Sequence, residues 1–140
     1  KETKKQTNKQ EEEQQEEEQK QQKQQTTPFL SLLHSFTAHE GIIHGIDLSF
    51  HHQTMMIASG GQDTCIKVWN YNEKDKRTRC CCFLEGHTAP VTSVCFHRRL
   101  PWIVSASQDR TVRIWDFEHG GESLTVLVGH NNCCTHAIFH

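Results

Sequence analysis

The sequence predicts an all-β fold, and three observations lead to this class. Between residues 28 and 140, short runs of β-branched and apolar residues alternate with clusters of Gly, Asn, Asp and Ser, and each run has the length of one strand. No amphipathic helix of ten or more residues stands out after residue 28. The third observation is a repeat, because IASGGQDTCIKVW at 57–69 and IVSASQDRTVRIW at 103–115 agree at Ile, Ser, Gln, Asp and Trp.

The repeat has a period in the forties. Trp69 and Trp115 lie 46 residues apart. The histidines that follow a strand earlier in each repeat, His39, His87 and His130, are separated by 48 and 43 residues. A Gly-His pair early and a Trp-Asp pair late, at such a period, are typical of a four-stranded propeller blade. The sequence therefore predicts part of a β-propeller.

Two full blades and parts of two more are predicted within residues 28–140, with the full blades at about 42–84 and 90–128. The predicted strands are 42–50, 55–59, 65–71 and 79–84 in the first full blade, and 91–96, 102–106, 111–116 and 123–128 in the second. We also predict an outer strand of a preceding blade at 29–36 and the start of a following blade at 134–139. Propellers close with about four to eight blades, so we expect a fragment that is not stable alone.

Residues 1–27 contain only Lys, Glu, Gln, Thr and Asn. A run without apolar side chains has no surface to bury, so it cannot offset the entropy lost on ordering. We predict a disordered low-complexity segment rich in Gln, Glu and Lys, without a functional site. A partner-binding helix is the alternative, but the run supplies no apolar face for one.

The composition argues against several functional classes. The formal net charge is −2, so no strong basic field favours binding to nucleic acid. No run of about 18 apolar residues is present, so no transmembrane helix is predicted. No apolar segment near the start has the pattern of a secretory signal.

Seven cysteines and eleven histidines raise the question of disulfides and metals. The cysteine count is odd, three form the run Cys80–Cys82, and no secretory signal precedes them, so we expect free thiols in a reducing compartment. No CxxC pair and no zinc-finger spacing occurs, so neither a metal site nor a cofactor is predicted. A metal-dependent enzyme remains a weaker alternative that metal analysis would test.

Four residue types recur in the same order, with offsets of 20, 4 and 6 in the first repeat and 18, 4 and 6 in the second: His39, Ser59, Asp63 and Trp69, and then His87, Ser105, Asp109 and Trp115. This set resembles the WD-repeat family, whose blades use the four side chains as an internal hydrogen-bonded chain. The resemblance implies that the indole donates to the serine hydroxyl, which bonds one imidazole nitrogen, and that the other nitrogen bonds the aspartate. Ser, His and Asp also form hydrolase triads, but the repetition with a Trp partner favours a structural role. No catalytic residue is predicted.

Residues 35–140 resemble a narrower family, the first propeller of the coatomer alpha subunits, which belong to the COPI vesicle coat. The segments that carry the resemblance are HEG at 39–41, KVWNY at 67–71, Arg79–Cys80, PWI at 101–103 and GHN at 129–131. The Pro101–Trp102 pair is the most specific of them. Two stretches depart from the family as loop-like insertions, residues 1–27 and NEKDKRT at 72–78, which is expected to lengthen a loop.

The resemblance implies a structural vesicle-coat component without catalysis, active in protein transport between the Golgi and the endoplasmic reticulum. The expected partners are the other coatomer subunits, cytosolic cargo tails and an Arf-type small GTPase. The expected location is cytoplasmic, peripheral on Golgi membranes and COPI vesicles. The alternative function is a WD-repeat scaffold or adaptor in signalling or ubiquitin ligation, and flanking domains would discriminate the two.

The propeller of the coatomer alpha family receives dilysine tails, and the resemblance places the corresponding surface at five positions: His44, Gln62, Pro90, Thr92 and Gln108. All five residues differ from those of the family. Because glutamines stand where the family has acidic residues, they offer no charge to a lysine ammonium, and charge-assisted hydrogen bonds are about twice as strong as neutral ones. We therefore expect lysine capture at this surface to be weak.

Overall fold

The computed structural model describes residues 35–140, which form two four-stranded antiparallel sheets. The strands are β1 (Ile43–His51), β2 (Thr54–Gly61), β3 (Ile66–Asn72) and β4 (Arg77–Leu84) in the first sheet, and β5 (Val91–Phe96), β6 (Trp102–Ser107), β7 (Val112–Asp116) and β8 (Ser123–Leu127) in the second. Every strand pairs with the next one along the chain within its sheet. The all-β prediction is confirmed, and a strand is present at each of the eight positions predicted for the two full blades.

Two predictions concern residues outside this described range. The predicted disorder of residues 1–27 lies there entirely, and so does most of the strand predicted at 29–36. Residues 35 and 36 are described, and they belong to no strand. Within the described range, no helix has the length and hydropathy that crossing a bilayer requires.

The segment 72–78 is a tight hairpin, so the predicted long loop is wrong. Strand pairing continues into the segment from both sides, with Asn72 opposite Arg77. Only residues 73–76 remain between the strands. The side-chain oxygen of Asn72 accepts a hydrogen bond from the backbone N–H of Lys74 at 2.9 Å, an Asx turn that supports the chain reversal.

No strand lies at 134–139, where a following blade is predicted to start. This segment contacts the second sheet, because the backbone N–H of Cys134 donates to the carbonyl of Ser107 at 3.0 Å and the Cys134 side chain is buried. A strand needs a ladder of hydrogen bonds to a neighbour. No strand pairing in the described part of the chain involves these residues, so the apolar pattern alone does not make them a strand.

A hydrophobic core fills the space between the two sheets. It contains Met56, Ala58, Ile66, Val68 and Leu84 from the first sheet, and Val91, Val94, Phe96, Ile103, Trp115 and Phe117 from the second sheet and its following turn. Alternate residues of β2 and β3 contribute to it, since successive side chains of a strand point to opposite faces. Burial of each large apolar side chain is worth about 1.5–3 kcal/mol relative to exposure.

Direct backbone contacts also join the two inner strands, β1 and β5. A Cβ at Gly45 would lie 2.9 Å from the Cα of Ser93, so only glycine permits this approach. Two residues further, Asp47 Oδ2 accepts a hydrogen bond from the backbone N–H of Phe96 at 2.8 Å. The first sheet therefore satisfies a backbone donor of the second.

The other face of the first sheet has a different character. Ile46, Leu48 and Phe50 alternate along β1 and are exposed, and Phe83 on β4 is exposed as well. On β5, Val94 and Phe96 stand at the places of Ile46 and Leu48, and both lie in the core described above. Equivalent strands of the two sheets are therefore covered to very different extents.

The seven cysteines all lie in the described range and are free. Burial raises the pKa of six of these thiols: Cys65, Cys80, Cys81, Cys82, Cys95 and Cys134. A thiol with a raised pKa is a poor nucleophile at neutral pH, because the thiolate is the reactive form. Four of the six lie in strands, Cys80, Cys81 and Cys82 in β4 and Cys95 in β5, whereas Cys65 and Cys134 lie outside the strands.

Candidate functional site

The first sheet contains a hydrogen-bonded chain of four side chains. His39 precedes β1, and its Nδ1 lies 2.7 Å from Asp63 Oδ1 in the turn between β2 and β3. His39 Nε2 lies 2.8 Å from Ser59 Oγ, and Trp69 Nε1 donates to the same oxygen at 3.0 Å. Strand register produces the last contact: Trp69 pairs with Ile57, two residues before Ser59, so both side chains face the same side of the sheet.

The second sheet repeats this arrangement, with the same His–Asp distance and slightly shorter distances to the serine hydroxyl. His87 Nδ1 lies 2.7 Å from Asp109 Oδ2, and His87 Nε2 lies 2.7 Å from Ser105 Oγ. Trp115 Nε1 donates to Ser105 Oγ at 2.8 Å. The structure therefore brings together each set of four residues that the sequence singled out. We refer to these sets as the first tetrad and the second tetrad.

The direction of the hydrogen bonds determines where the protons lie in the second tetrad. An indole N–H can only donate, so Ser105 Oγ accepts from Trp115 and donates its own proton to His87 Nε2. His87 is then neutral and donates from Nδ1 to Asp109. Burial lowers the pKa of His87 and outweighs the opposing effect of the Asp109 carboxylate, so the neutral form persists.

Asp109 has partners that the sequence did not reveal. Its Oδ1 accepts from the Thr111 hydroxyl at 2.7 Å, and its Oδ2 accepts from the backbone N–H of Thr88 at 3.1 Å. Burial acts to raise the pKa of Asp109, but the bonds from Thr111 and His87 outweigh it and hold the pKa well below its usual range. The repeat gave no signal for Thr111, because Cys65 occupies the corresponding position of the first sheet.

Asp63 in the first tetrad has weaker support. Burial acts to raise its pKa, but the hydrogen bond and the charge of His39 outweigh it, so the pKa is lowered. The backbone N–H of Glu40 donates to Asp63 Oδ2 at 3.3 Å, and Lys67 Nζ lies 3.6 Å from the same oxygen. Lys67 also donates to the carbonyl of Ala38 at 2.8 Å, which ties β3 to the segment that carries His39.

The geometry of both tetrads excludes nucleophilic catalysis by their serines. Ser59 and Ser105 are buried, and each hydroxyl is occupied by an indole and an imidazole. A nucleophile needs an approach path for substrate and an adjacent oxyanion site. These hydroxyls are neither free of hydrogen bonds nor accessible to a substrate. The tetrads therefore have a structural role and hold the strands of each sheet together.

The predicted tail-binding surface occupies equivalent places in the two sheets. His44 Nε2 lies 3.0 Å from Gln62 Oε1, and both side chains are exposed. In the second sheet, the backbone N–H of Gln108 donates to the carbonyl of Pro90 at 3.0 Å. The structure therefore pairs His44 with Gln62 and Pro90 with Gln108, at the ends of the inner strands and in the turns that follow β2 and β6.

Thr92, the fifth predicted position, has an internal role. Its hydroxyl lies 3.0 Å from the carbonyl oxygen of Ala106 and 2.6 Å from that of Cys134. A hydroxyl has one proton, which these two acceptors share. Thr92 thus fastens the segment around Cys134 to the second sheet, and its proton is not available to a peptide ligand.

Comparison with known families gives one result that bears on this geometry. The family described as WD domain, G-beta repeat, matches residues 30–70 and 78–116. The two matched segments include all eight tetrad residues and together make up more than half of the chain. No curated protein matches the chain.

Proposed function

Because this chain belongs to the WD-repeat family, we propose that it is a non-catalytic structural component of a vesicle coat, similar to the coatomer alpha subunit. Its process would be protein transport between the Golgi and the endoplasmic reticulum. The general role follows from the family itself, because WD repeats are protein-interaction scaffolds. The single observation that carries the coat assignment is the set of sequence elements beyond the generic repeat, such as KVWNY at 67–71, PWI at 101–103 and GHN at 129–131.

The tetrads support a scaffold in physical terms. Each blade uses its buried polar side chains internally, so the potentially reactive groups are satisfied and the sheets form a rigid support. The turns and strand ends are left to vary, and they present exposed polar residues such as His44, Gln62 and Gln108. A rigid support with variable loops is the arrangement on which binding surfaces are usually built.

The most specific element of the resemblance, Pro101–Trp102, lies at the start of β6. The carbonyl of Pro101 accepts a hydrogen bond from the backbone N–H of Phe117 at 3.0 Å, and that of Trp102 accepts from His97 at 2.8 Å. The rings of Trp102 and His97 are in edge contact, with their centroids 6.0 Å apart. This pair therefore contacts two neighbouring segments, at His97 and at Phe117, and the ring contact with His97 depends on the indole of Trp102 itself.

The partners that this proposal implies are the other coatomer subunits and an Arf-type small GTPase on the membrane. We expect a cytoplasmic location, peripheral on the Golgi and on COPI vesicles. Cargo tails with two lysines would bind weakly. Asp63 and Asp109 lie next to Gln62 and Gln108, but both carboxylates are already held by histidines, so they cannot replace the missing charges.

The test is gentle purification of the tagged endogenous protein followed by quantitative mass spectrometry. Recovery of the other coatomer subunits in near-equal amounts is the expected result. A stable set of signalling or ubiquitin-ligase subunits, with no coatomer, would establish the adaptor alternative and overturn the coat role. His87→Ala, which breaks the second tetrad, should lose the partners, whereas Gln53→Ala in an exposed turn should retain them.

A further inference from the structure

Three side chains converge beside the two sheets, although one of them is far from the other two in the sequence. His51 ends β1, His52 follows in the turn, and Glu118 lies in the turn after β7. Glu118 Oε1 is 3.0 Å from His51 Nδ1 and 3.6 Å from His52 Nε2. One ligand atom from each residue lies within 4.8 Å of the others. This cluster is separate from the tetrads and from the surface around Gln62 and Gln108.

The distances of Glu118 Oε1 from the two histidine nitrogens, 3.0 and 3.6 Å, bracket the ligand spacing of a transition-metal site, and the exposed His52 ring would move closer to His51 for all three atoms, now within 4.8 Å of one another, to bind one ion. In a tetrahedral zinc site the nitrogen and oxygen ligands lie about 2.0–2.2 Å from the ion, so neighbouring ligand atoms are about 3.3 Å apart. Two imidazoles and one carboxylate suit zinc and related divalent ions. We propose that His51, His52 and Glu118 bind a divalent transition-metal ion of the zinc class.

The environment of His51 supports this assignment independently of the distances. Its Nδ1 is buried and has no hydrogen-bond partner, because the Glu118 oxygen lies at ion-pair distance but outside hydrogen-bond geometry. A buried polar atom without a partner is costly, and a metal ion would satisfy its lone pair. The His51 ring is held edge-on by Phe117, with centroids 5.4 Å apart, and by His52, at 4.8 Å.

The backbone of the β1–β2 turn explains why two successive histidines can point to one place. Side chains of neighbouring strand residues normally face opposite sides of a sheet. Here His52 and Gln53 both have positive φ, 46° and 63°, in a two-residue hairpin turn. The chain therefore leaves the strand geometry directly after His51, and the His52 ring turns back toward Glu118.

A metal at this place would join the two sheets. Its histidine ligands belong to the first sheet, and its carboxylate ligand belongs to the turn between the last two strands of the second. Binding of an ion to the folded chain alone stabilises it by mass action. Three protein ligands leave one tetrahedral position, which water or a side chain of a partner would occupy.

The experiment uses the purified protein, stripped of metal with a chelator, and Co²⁺ and Zn²⁺ as the probes. We expect one ion per chain, a higher melting temperature with Zn²⁺, and a Co²⁺ spectrum without the thiolate charge-transfer bands that cysteine ligands give. Glu118→Gln should weaken metal binding by at least about tenfold. Mutation of residues that only hydrogen-bond to metal ligands already weakens binding by about tenfold or more, and Glu118 would itself be a ligand. Gln is nearly isosteric with Glu, and the side chain at position 118 is partly exposed, so circular dichroism should show that Glu118→Gln keeps an intact fold.

Three further variants test which side chains hold the ion. His51→Ala should abolish the effect of Zn²⁺, while His130→Ala, at an exposed histidine elsewhere, should leave binding unchanged. Replacement of Cys80, Cys81 and Cys82 together by serine should also leave it unchanged. The proposal is overturned if Glu118→Gln binds Zn²⁺ as tightly as the parent, if only the cysteine variant loses binding, or if no ion binds. In the last case the cluster is an ordinary ion pair.

Discussion

The two tetrads have the same connections, yet they differ in what lies over them. Trp115 in the second tetrad is 0% exposed and Phe96 on its inner strand is 5% exposed, because the first sheet covers this face. On the equivalent face of the first sheet, Trp69 is 9% exposed and Leu48, which corresponds to Phe96, is 60% exposed. The hydrogen-bonded chain thus forms within a single blade, whereas burial of the apolar face depends on a neighbouring sheet.

This difference in cover should have its largest effect on stability at the inner strands, β1 and β5. Phe96→Ala should lower the free energy of unfolding by about 3–5 kcal/mol, because it removes a large buried side chain. Leu48→Ala should lower it by less than about 1 kcal/mol, as expected for an exposed site. Urea unfolding of the purified protein measures both. Equal losses would mean that the exposed face of the first sheet is covered in solution.

The serines provide the next comparison. Ser105→Ala should cost about 3 kcal/mol, since Trp115 Nε1 and His87 Nε2 would both be left buried without a partner, at about 1–3 kcal/mol each. Ser59→Ala should cost less, about 2 kcal/mol, because its two hydrogen bonds are longer, 2.8 and 3.0 Å, and because Trp69 is 9% exposed whereas Trp115 is 0% exposed. Thermal unfolding checks the order, and Ser123→Ala at an exposed position should be neutral. The reverse order would show that cover by a neighbouring sheet does not set the cost.

A smaller effect should appear as pH falls. The pKa of His87 is lowered from its ordinary value of 6.5, so below that pH the unfolded chain binds a proton that the folded chain does not. The contribution of His87 to stability is therefore complete above pH 6.5, and stability decreases as the pH falls from there toward the folded-state pKa. Asp109 and Arg113 are the charged groups that affect this ring.

The measurement is the melting temperature between about pH 7.5 and pH 5, a range that spans the ordinary pKa of histidine. His87→Gln should lower stability at every pH but flatten its dependence on pH, whereas His130→Gln at an exposed site should keep the parent slope. An unchanged slope in His87→Gln would mean that His87 is not the group that titrates.

The smallest effect concerns the surface of the two turns. Gln108→Asp should strengthen binding of a peptide ending in two lysines by several-fold, since a charge-assisted hydrogen bond exceeds a neutral one by about 1 kcal/mol. Gln62→Asp should gain less, because His44 already lies 3.0 Å from this side chain. Fluorescence anisotropy with a labelled peptide measures the affinities. Gln53→Asp adds the same charge elsewhere, and an equal gain there would indicate only a general charge effect.

The strands and the tetrad positions could be predicted from the sequence because each is encoded locally and repeated. Trp115 lies six residues after Asp109, and the same spacing separates Trp69 from Asp63. The hairpin at 72–78 was mistaken for a loop, since turn residues alone do not show that the strands continue into them.

Contacts between residues far apart in the chain are not encoded by a local or repeated sequence pattern. Asp47 and Phe96, which bond across the two sheets, are 49 residues apart, and neither belongs to a motif. Glu118 meets His51 only because the sheets pack side by side, so no spacing in the sequence indicates that the two residues are close. Single-sequence patterns report short-range order, and these contacts depend on packing.

The bond between Asp47 and the amide of Phe96 also has a consequence for synthesis. A chain leaves the ribosome from its N-terminus, and its earlier parts can fold first. The first sheet can thus be complete while β5 is still being made, with the Asp47 carboxylate already in place as an acceptor. The acceptor is thus synthesised 49 residues before the amide that it binds, so β5 meets a partner for its backbone as soon as it reaches the first sheet.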